Sequence, residues 1–171
     1  IPVFNQKELT AKCLESIDRH TRADSFEVIV VDNGSSDGTR EMLGEFSKRF
    51  AWLRQVTYPT NLMFAMGCNL GVAHSRGEYI VLLNNDTEVC AEWLPPLITP
   101  LREDPQVGMV GPKLIYGDDT LQAGGIVFNA LSKMPYHIYR GIDRNHPAIN
   151  KRRYYQAITG ACLACRAAEF I

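Results

Sequence analysis

The feature that most constrains this chain is the alternation, through its first 116 residues, of short apolar runs with segments of helical periodicity. The run "FEVIVVDNGSSDGT" is β-branched until it breaks into turn residues, and "GEYIVLLNNDT" ends in the same way. Helical spacing is clear in "QKELTAKCLESIDRHT", where Leu9, Cys13, Leu14 and Ile17 share a face. Strands that alternate with helices at this spacing predict an α/β fold with a mostly parallel sheet flanked by helices.

The same patterns place the individual elements along the chain. The predicted strands are "IPVF", "FEVIVVD", "WLRQVTY", "YIVLL" and "VGMVGPKLIY". The predicted helices are "QKELTAKCLESIDRHT", "REMLGEFSKRF", "FAMGCNLGVAHS" and "AEWLPPLITPLRED". Beyond residue 116 the pattern loosens into a basic, aromatic tract without a clean period, and we assign no elements there.

Composition and charge exclude several classes of protein. A chain of 171 residues is most simply one domain with a sizeable core. The net charge of −1 gives no overall attraction to nucleic acid or to an anionic membrane. No apolar run approaches the ~20 residues of a membrane span, and no signal peptide is visible. Because the chain opens on Ile1 and stops in mid-pattern at "RAAEFI", we expect a single domain truncated at both ends.

The five cysteines indicate the redox environment. Their odd number and irregular spacing argue against a disulfide framework and for a reducing compartment. We therefore expect a cytoplasmic location, where the intact protein could associate with the inner face of the membrane. Cys162 and Cys165 form a CxxC, which fits zinc or redox chemistry or, as we favour, two small apolar side chains near a helix start.

Polar side chains follow three of the predicted strands. The strand ends read "PVFNQ", "DNGSSDGT" and "NNDT". In an open α/β sheet ligands bind outside the carboxyl ends of the strands, so we expect these three ends to form one site. Asp86 suits a hard divalent cation that carries a phosphate as co-ligand. Asp32 and Asn33 suit the edge of a base or a ribose, and Phe4 could cover a base.

Each of these strand ends also has a purely structural interpretation. "DNGSSDGT" is neither a phosphate-binding P-loop nor GxGxxG, and taken alone it could be a strand-to-helix turn capped by Ser35, Ser36 or Asp37. Asp86 alone could cap the helix that follows it. Only the three ends together favour a nucleotide and a metal ion.

The order and spacing of these motifs resemble a family 2 glycosyltransferase of the GT-A fold, in its rhamnosyltransferase-like branch. The matching stretches cover nearly all of residues 1–170: "IPVFNQ", "CLESI", "FEVIVVDNGSSDGT", "NLMFAMGCNLGVAHSRGEYIVLLNNDTEV", "WLPPLI", "VGMVGPKLIY" and "TGACLACR". The resemblance implies that residues 1–116 form a nucleotide- and metal-binding half. Residues 117–171 would begin the acceptor half.

The resemblance also implies roles for single residues. "NND" stands at the place of the family's DxD motif, so Asp86 would bind Mn²⁺ or Mg²⁺, and Asn84 and Asn85 would contact ribose or an outer-shell water. The remaining implied nucleotide-binding residues are Pro2, Phe4, Asp32, Asn33, Asn61 and Asn69. Thr159 and Gly160 would lie beneath the sugar and the acceptor. Met63 departs from the family, which usually has glycine there.

The implied activity is an inverting transfer of sugar from a UDP- or dTDP-sugar to a glycan or lipid-linked acceptor, in cell-wall or surface polysaccharide synthesis. The family's general base lies past "TGACLACR", so we expect it beyond Ile171; Glu169 is the nearest carboxylate. A non-catalytic nucleotide-sugar-binding module stays open. So does a nucleotidyltransferase, although "PVFNQKE" is not the Gly-rich, basic loop on which those enzymes open.

Several other residues keep two interpretations. Lys151–Arg153, with Tyr154 and Tyr155, could steady a diphosphate or an anionic acceptor, or form a solvated loop. His137 and His146 could bind metal or lie on the surface. Trp93 could pack in the core or contact the acceptor.

Overall fold

The computed structural model describes residues 1–22 and 26–170. Its helices are α1 (Lys7–His20), α2 (Thr39–Arg49), α3 (Met63–Ala73) and α4 (Pro95–Glu103). Its first five strands are β1 (Pro2–Val3), β2 (Val28–Asp32), β3 (Leu53–Thr57), β4 (Tyr79–Leu83) and β5 (Met109–Val110). The others are β6 (Leu114–Ile115), β7 (Leu121–Ala123), β8 (Ile126–Phe128), β9 (Pro135–His137) and β10 (Cys162–Arg166). A short 3₁₀ helix, Ala167–Glu169, follows β10.

The first three strands form a parallel sheet in the order β1-β2-β3. Val30 and Val31, adjacent in β2, are both fully buried, which requires cover on both faces of the sheet. Helix α3 packs on β1 and β2, while α1 and α2 contact each other. The predicted α/β class, with a parallel sheet flanked by helices, is confirmed.

A second sheet is antiparallel and has the order β4-β10-β5. β10 pairs with β4 from Cys162 opposite Leu83 to Arg166 opposite Tyr79. It returns from the far end of the chain to lie between β4 and β5. Helix α4 packs on β10 and β5, so the buried residues of α1, β2, β4, α4 and β10 join one hydrophobic core.

The prediction of one strand in "VGMVGPKLIY" is wrong. β5 and β6 are separate two-residue strands that pair with different partners, β10 and β7. Gly111 and Pro112 lie between them. Proline has no N–H for a ladder, and the residue before it is pushed out of regular geometry, so the strand ends there.

The tract beyond residue 116, for which the sequence predicted no elements, contains the strands β7 to β10, the first three of them in short hairpins. β6 pairs with β7, and β8 pairs with β9. Ile126 also bridges to Ala157, which holds the segment before β10 against β8. Within residues 1–22 and 26–170, no helix has the length and apolar character needed to cross a membrane.

The CxxC lies inside β10, and the short 3₁₀ helix Ala167–Glu169 begins two residues after Cys165. Side chains alternate along a strand, and residues three positions apart point to opposite faces. Cys162 and Cys165 are both buried, and burial raises the pKa of the Cys162 thiol to about 12. The two thiols therefore serve two different faces of the sheet as small apolar side chains, and they do not form a redox or zinc pair.

Arg166 ties the end of α4 to the sheet. Its guanidinium donates to the backbone carbonyls of Leu101, Asp104 and Val107, the last two at 2.8 and 2.9 Å. It also pairs with Glu169. The carbonyls that end a helix have no partner within the helix, so one side chain satisfies the end of α4 and the turn into β5.

Replacement of Arg166 by methionine should lower the free energy of unfolding by about 2–4 kcal/mol, because charge-assisted hydrogen bonds to partly buried carbonyls are lost while the apolar stem is kept. Urea unfolding measures the change. The control is Glu169→Gln, which removes only the exposed ion pair and should cost less than about 1 kcal/mol. Equal losses in the two variants would show that the ion pair, and not the carbonyl contacts, carries the effect.

Candidate functional site

The loops that follow β1 and β2 are joined by direct hydrogen bonds. Asn5 donates its backbone N–H to Ser35 Oγ at 2.8 Å and accepts the Ser36 N–H on its Oδ1 at 2.9 Å. The Lys7 N–H donates to Asp37 Oδ2 at 3.0 Å. The expectation that the first two strand ends lie together therefore holds in the structure. Phe4, at the tip of β1, is 47% exposed.

Asp37 is the residue of this loop that supports a helix start. Its Oδ1 accepts the backbone N–H of Thr39, the first residue of α2, at 3.1 Å and the Thr39 hydroxyl at 2.6 Å. The Thr39 hydroxyl bond is the largest cause of a lowered pKa of the Asp37 carboxyl. The interpretation of this loop as a capped strand-to-helix turn therefore applies to Asp37.

Asp32 is fully buried at the end of β2. One carboxylate oxygen accepts the Ser35 N–H at 2.9 Å, and the other pairs with Nε of the half-exposed Arg40 at 3.3 Å. The carboxylate therefore holds the loop that carries Ser35 and Ser36. Because Asp32 has no exposed surface, it would act on a ligand through the loop that it holds in place.

Asn33 is buried beneath α3, at 3% exposure. Its backbone N–H donates to Val3 O at 2.8 Å, while its side-chain Oδ1 is buried and has no partner among the described residues. Its amide lies against Gly67: a Cβ added to that glycine would stand 2.9 Å from Asn33 Nδ2 and 3.0 Å from Pro2 Cβ. Asn33 and Pro2 thus form a tight layer under the first turns of α3.

The segment after β4 forms a tight turn. The Thr87 N–H donates to Asn84 O at 3.3 Å, which puts Asn85 and Asp86 at the tip. The Asn85 amide donates to Thr10 Oγ1 of α1 at 3.0 Å. Asp86 is exposed, and its carboxylate has no hydrogen bond or ion pair within the part of the chain that is described. The next helix, α4, begins only at Pro95 with Leu94 as its N-cap, so the alternative that Asp86 caps that helix is wrong.

Thr159 and Gly160 lie beside this turn. The Asn84 N–H donates to Ala161 O at 2.9 Å, which extends the β4–β10 ladder by one pair beyond Leu83. The Phe64 ring of α3 covers Gly160, with ring carbons 3.5 and 3.6 Å from the place a Cβ would take. The segment expected under the sugar and acceptor therefore adjoins the turn that carries Asp86.

The donor set at the tip fits a divalent cation that is shared with a ligand. Within residues 1–22 and 26–170, no group of three His, Cys, Asp or Glu side chains could enclose a metal ion. Asp86 offers one free carboxylate instead. A hard cation such as Mg²⁺ is commonly bound through one or two carboxylates plus waters and substrate phosphates, so the site matches that mode and not an all-protein cage.

The loop before α3 carries the other expected nucleotide-binding residues. Asn61 Oδ1 accepts the Met63 N–H at 2.8 Å. Met63 has a left-handed φ of 62° and is 72% exposed, so the usual glycine of the family would have suited its backbone. Asn69 lies two turns along α3, where it lines a separate shallow pocket with Tyr58 and Met66.

The structure gives the positions of the tryptophan, the histidines and the basic cluster for which the sequence left two interpretations. Trp93 donates its indole N–H to Thr21 Oγ1 at 3.0 Å and packs against the core, which favours its structural role. His146 is exposed and accepts the Ala148 N–H, and His137 is half-buried in β9. Lys151–Arg153 is exposed, and Arg153 stacks 5.5 Å from the Tyr139 ring.

Sequence reasoning missed four residues that shape the site: Thr10, Arg40, Phe64 and Gly67. Arg40 stands eight positions after Asp32 and carries no motif. Gly67 could have been noticed, because a glycine in a helix interior costs stability unless something packs closely against it. The others act through contacts between distant segments, which no local pattern reveals.

Comparison with known proteins agrees with this geometry. The family model "Glycosyl transferase family 2" matches residues 1–162. An uncharacterised protein of Sinorhizobium fredii, y4gI, is 33% identical over 97% of this chain and 19% of its own length. The chain belongs to glycosyl transferase family 2.

Two solved structures share the GT-A fold. The mannosyltransferase PcManGT from Pyrobaculum calidifontis, in complex with GDP-Man and Mn²⁺, has a TM-score of 0.60 and 26% identity over 69% of this chain and 35% of that one. GalNAc-T7 with UDP, GalNAc and Mn²⁺ has a TM-score of 0.77 and 16% identity over 99% of this chain and 34% of that one. The chain therefore spans only a fifth to about a third of the length of these proteins.

Replacement of Gly67 by alanine tests the packing of Asn33. The added methyl group would meet Asn33 Nδ2 and Pro2 Cβ, and overpacking at a buried site costs about 1–3 kcal/mol. Gly44→Ala in α2 is the control, since nothing lies within 4 Å of its Cβ and the helix should gain about 0.5–1 kcal/mol. We expect unfolding free energies to change with opposite signs. A higher free energy of unfolding in both variants would show that Asn33 and Pro2 can move to make room for the added methyl group.

Proposed function

We propose that this protein transfers a sugar from a nucleotide-diphospho-sugar, a UDP- or dTDP-sugar, to a hydroxyl of a glycan or lipid-linked acceptor. We propose further that it inverts the anomeric centre and acts in cell-wall or surface polysaccharide synthesis, as the rhamnosyltransferase-like pattern of its motifs implies. The observation that carries the proposal is the free carboxylate of Asp86 on a turn that is hydrogen-bonded to the Thr159–Ala161 segment. Metal-bound diphosphate and acceptor would meet there.

The nucleoside would lie along the tips of β1 and β2. The exposed ring of Phe4 is the apolar surface on which a base can stack. Asp32, through the Ser35 N–H, and Asn33, through its unpartnered Oδ1, would shape the pocket for the base. Pro2 would line the pocket beside Asn33, in the layer under α3. Asn61 and Asn69 would contact the nucleotide from the side of α3.

At the diphosphate, Asn84 and Asn85 would orient the turn and contact ribose or an outer-shell water, while Asp86 would hold Mn²⁺ or Mg²⁺. A bound divalent cation would supply neutralisation of the charge that develops on the leaving nucleoside diphosphate. Thr159 and Gly160 would support the sugar under the Phe64 ring. The proton of the acceptor hydroxyl requires a general base, which we place beyond Ile171.

We further propose that residues 1–171 belong to one GT-A domain in which residues 1–116 bind the donor and residues 117–171 begin the acceptor half. The parallel sheet and Asp86 fall in the first part, and the strands from β7 to β10 fall in the second. A module that only binds a nucleotide-sugar would share the donor half, so the transfer assay below separates the two functions.

Asp86→Asn should weaken the Mn²⁺-dependent binding of UDP or dTDP by at least about 10–100-fold, a loss seen even for residues that only support metal ligands. The fold should be unchanged, because the carboxylate has no partner among the described residues. Glu88→Gln is the matched control, since it neutralises an exposed carboxylate two positions along. Calorimetry with and without Mn²⁺ measures both; metal-dependent affinity that survives in Asp86→Asn would remove Asp86 from the site.

Residues 1–171 alone should bind the donor but transfer sugar about 10²–10⁴-fold more slowly than the full-length protein, the usual cost of losing general-base help. Slow release of free sugar to water should persist. Product formation with a panel of acceptors measures this. Equal transfer rates would place the base within residues 1–171, and absence of transfer by the full-length protein as well would favour a binding module.

A further inference from the structure

The β8–β9 hairpin ends in a turn that exposes apolar side chains. Leu131, at the apex, is 94% exposed, and Phe128 and Met134 on the two sides of the turn are exposed as well. Val127 pairs with Tyr136, so Phe128 and Tyr136 point to opposite faces of the hairpin. Both are exposed, so the end of the hairpin extends into solvent on both faces. Single exposed apolar residues are ordinary, whereas a cluster of them marks a contact surface.

Hydrogen bonds within the turn hold its backbone. Asn129 Oδ1 accepts the N–H groups of Leu131 and Ser132, both at 2.9 Å. Asn129 O accepts the Lys133 N–H at 2.9 Å, and the Asn129 N–H donates to Met134 O at 3.0 Å. The Met134 N–H donates to Ser132 Oγ at 3.3 Å. Because these backbone groups already have partners, moving the apex from water into a less polar medium costs little.

The charge around this hairpin is uneven, although the whole chain carries only −1. Residues 120–168 hold seven lysine and arginine residues but only one of the nineteen acidic residues, Asp143. Arg144 pairs with Asp119, and Arg166 pairs with Glu169. The other five basic side chains are exposed and have no acidic partner within residues 1–22 and 26–170: Lys133, Arg140, Lys151, Arg152 and Arg153.

The basic segment Lys151–Tyr154 adjoins the hairpin. The Phe128 N–H of β8 donates to Gln156 Oε1 at 2.8 Å, which ties the end of that segment to the hairpin. The guanidinium of Arg153 stacks 5.5 Å from the ring of Tyr139, which follows β9. Positive charge therefore lies directly beside the hairpin that carries the apolar apex.

We propose that the hairpin turn and the basic segment together form a docking surface for an anionic lipid bilayer. Leu131 and Met134 would enter the boundary between headgroups and acyl chains. Lys133 and Lys151–Arg153 would meet the anionic headgroups. Tyr154, which is 87% exposed, has the apolar ring and polar tip that are enriched at this depth of a membrane.

The combination of an apolar apex with a basic segment favours a bilayer over other partners. A soluble polyanion, such as a nucleic acid or a charged glycan, would be attracted by the basic side chains but would leave Leu131 in water. A second copy of this surface would bring two basic segments together, and like charges that face each other across an interface cost affinity. A bilayer with anionic headgroups accommodates both the apolar side chains and the positive charge.

Docking of this kind goes beyond sugar transfer and does not depend on it. Tyr155 and Thr159 are four positions apart in the chain, about 14 Å at most for an extended backbone. The docked surface would therefore lie near the turn of Asp86, which adjoins Thr159. An acceptor carried on a lipid would reach that turn from the membrane to which the hairpin is bound.

Co-sedimentation of the full-length protein with vesicles tests the role of charge. Vesicles of phosphatidylcholine and phosphatidylglycerol in equal parts should bind the protein, and vesicles of phosphatidylcholine alone should bind it weakly. Raising the salt from about 0.1 M to about 1 M should weaken binding, because the Debye length falls from about 10 Å to about 3 Å. Lys151→Gln combined with Arg152→Gln should weaken it roughly 20-fold, about fivefold for each charge near the surface.

The matched control removes two positive charges elsewhere. Lys12→Gln combined with Lys48→Gln replaces exposed lysines of α1 and α2 and should leave vesicle binding nearly unchanged. Equal losses in the two double variants would show that net charge, and not this surface, drives binding, and would overturn the proposal.

A second pair of variants tests the apolar apex. Leu131→Ser combined with Met134→Ser should weaken vesicle binding about tenfold or more, since burial of these side chains is lost. Met109→Ser, at a similarly exposed methionine of β5, is the control and should bind as the unaltered protein does. Unchanged binding by the apex variant would overturn the proposal. So would a lower melting temperature without loss of binding, which would show that another part of the protein covers the apex.

A fluorescent label at position 131 reports contact with lipid even where another part of the protein also binds the vesicle. Leu131→Cys is made together with Cys90→Ser, which removes the exposed cysteine and leaves four buried thiols. An environment-sensitive dye such as NBD should emit more strongly and at shorter wavelength when anionic vesicles are added. The same dye on Met109→Cys should respond little. Absence of a response at position 131, or an equal response at both positions, would overturn the proposal.

Discussion

The pairing of β10 with β4 is the interaction on which the arrangement of the site depends. It joins segments about eighty residues apart through a five-residue antiparallel register. The Asn84–Ala161 hydrogen bond at its end places the turn that carries Asp86 next to Thr159 and Gly160. Without this ladder, the turn after β4 and the Thr159–Ala161 segment would lose the hydrogen bonds that hold them side by side.

The strand ends are then fixed to each other by short side-chain contacts. Asn5 joins the β1 loop to the β2 loop, and Asn85 joins the β4 turn to Thr10 of α1. Asn5 uses its Oδ1 and Asn85 its Nδ2 for these contacts within the protein. Asp86 and the Asn33 Oδ1 differ, because neither has a partner among the described residues. Groups left unpaired within a network that satisfies its neighbours are those with capacity for a ligand.

The sequence predicted the first four strands and the four helices well because their signals are local. β-branched runs such as that ending at Asp32, and helical spacing such as that of α1, depend only on neighbours along the chain. The antiparallel β10 and the hairpins beyond residue 116 were not predicted, since their pairing joins distant segments that carry no local period. Pro112 shows the same limit: it divided one predicted strand into two whose partners only the fold reveals.

The burial of Asp32 and Asn33 changes the role that their sequence motif suggests for them. Both were expected to contact the base, yet both are buried, at 0% and 3% exposure. A buried carboxylate that accepts the Ser35 N–H fixes the path of the loop, and a buried amide packed on Gly67 fixes the approach of α3 to β1. The conformation of a nucleotide pocket at this edge would therefore be set by the layer beneath the surface. Besides the unpartnered Asn33 Oδ1, contact with the ligand would fall to exposed groups above this layer, the Phe4 ring among them.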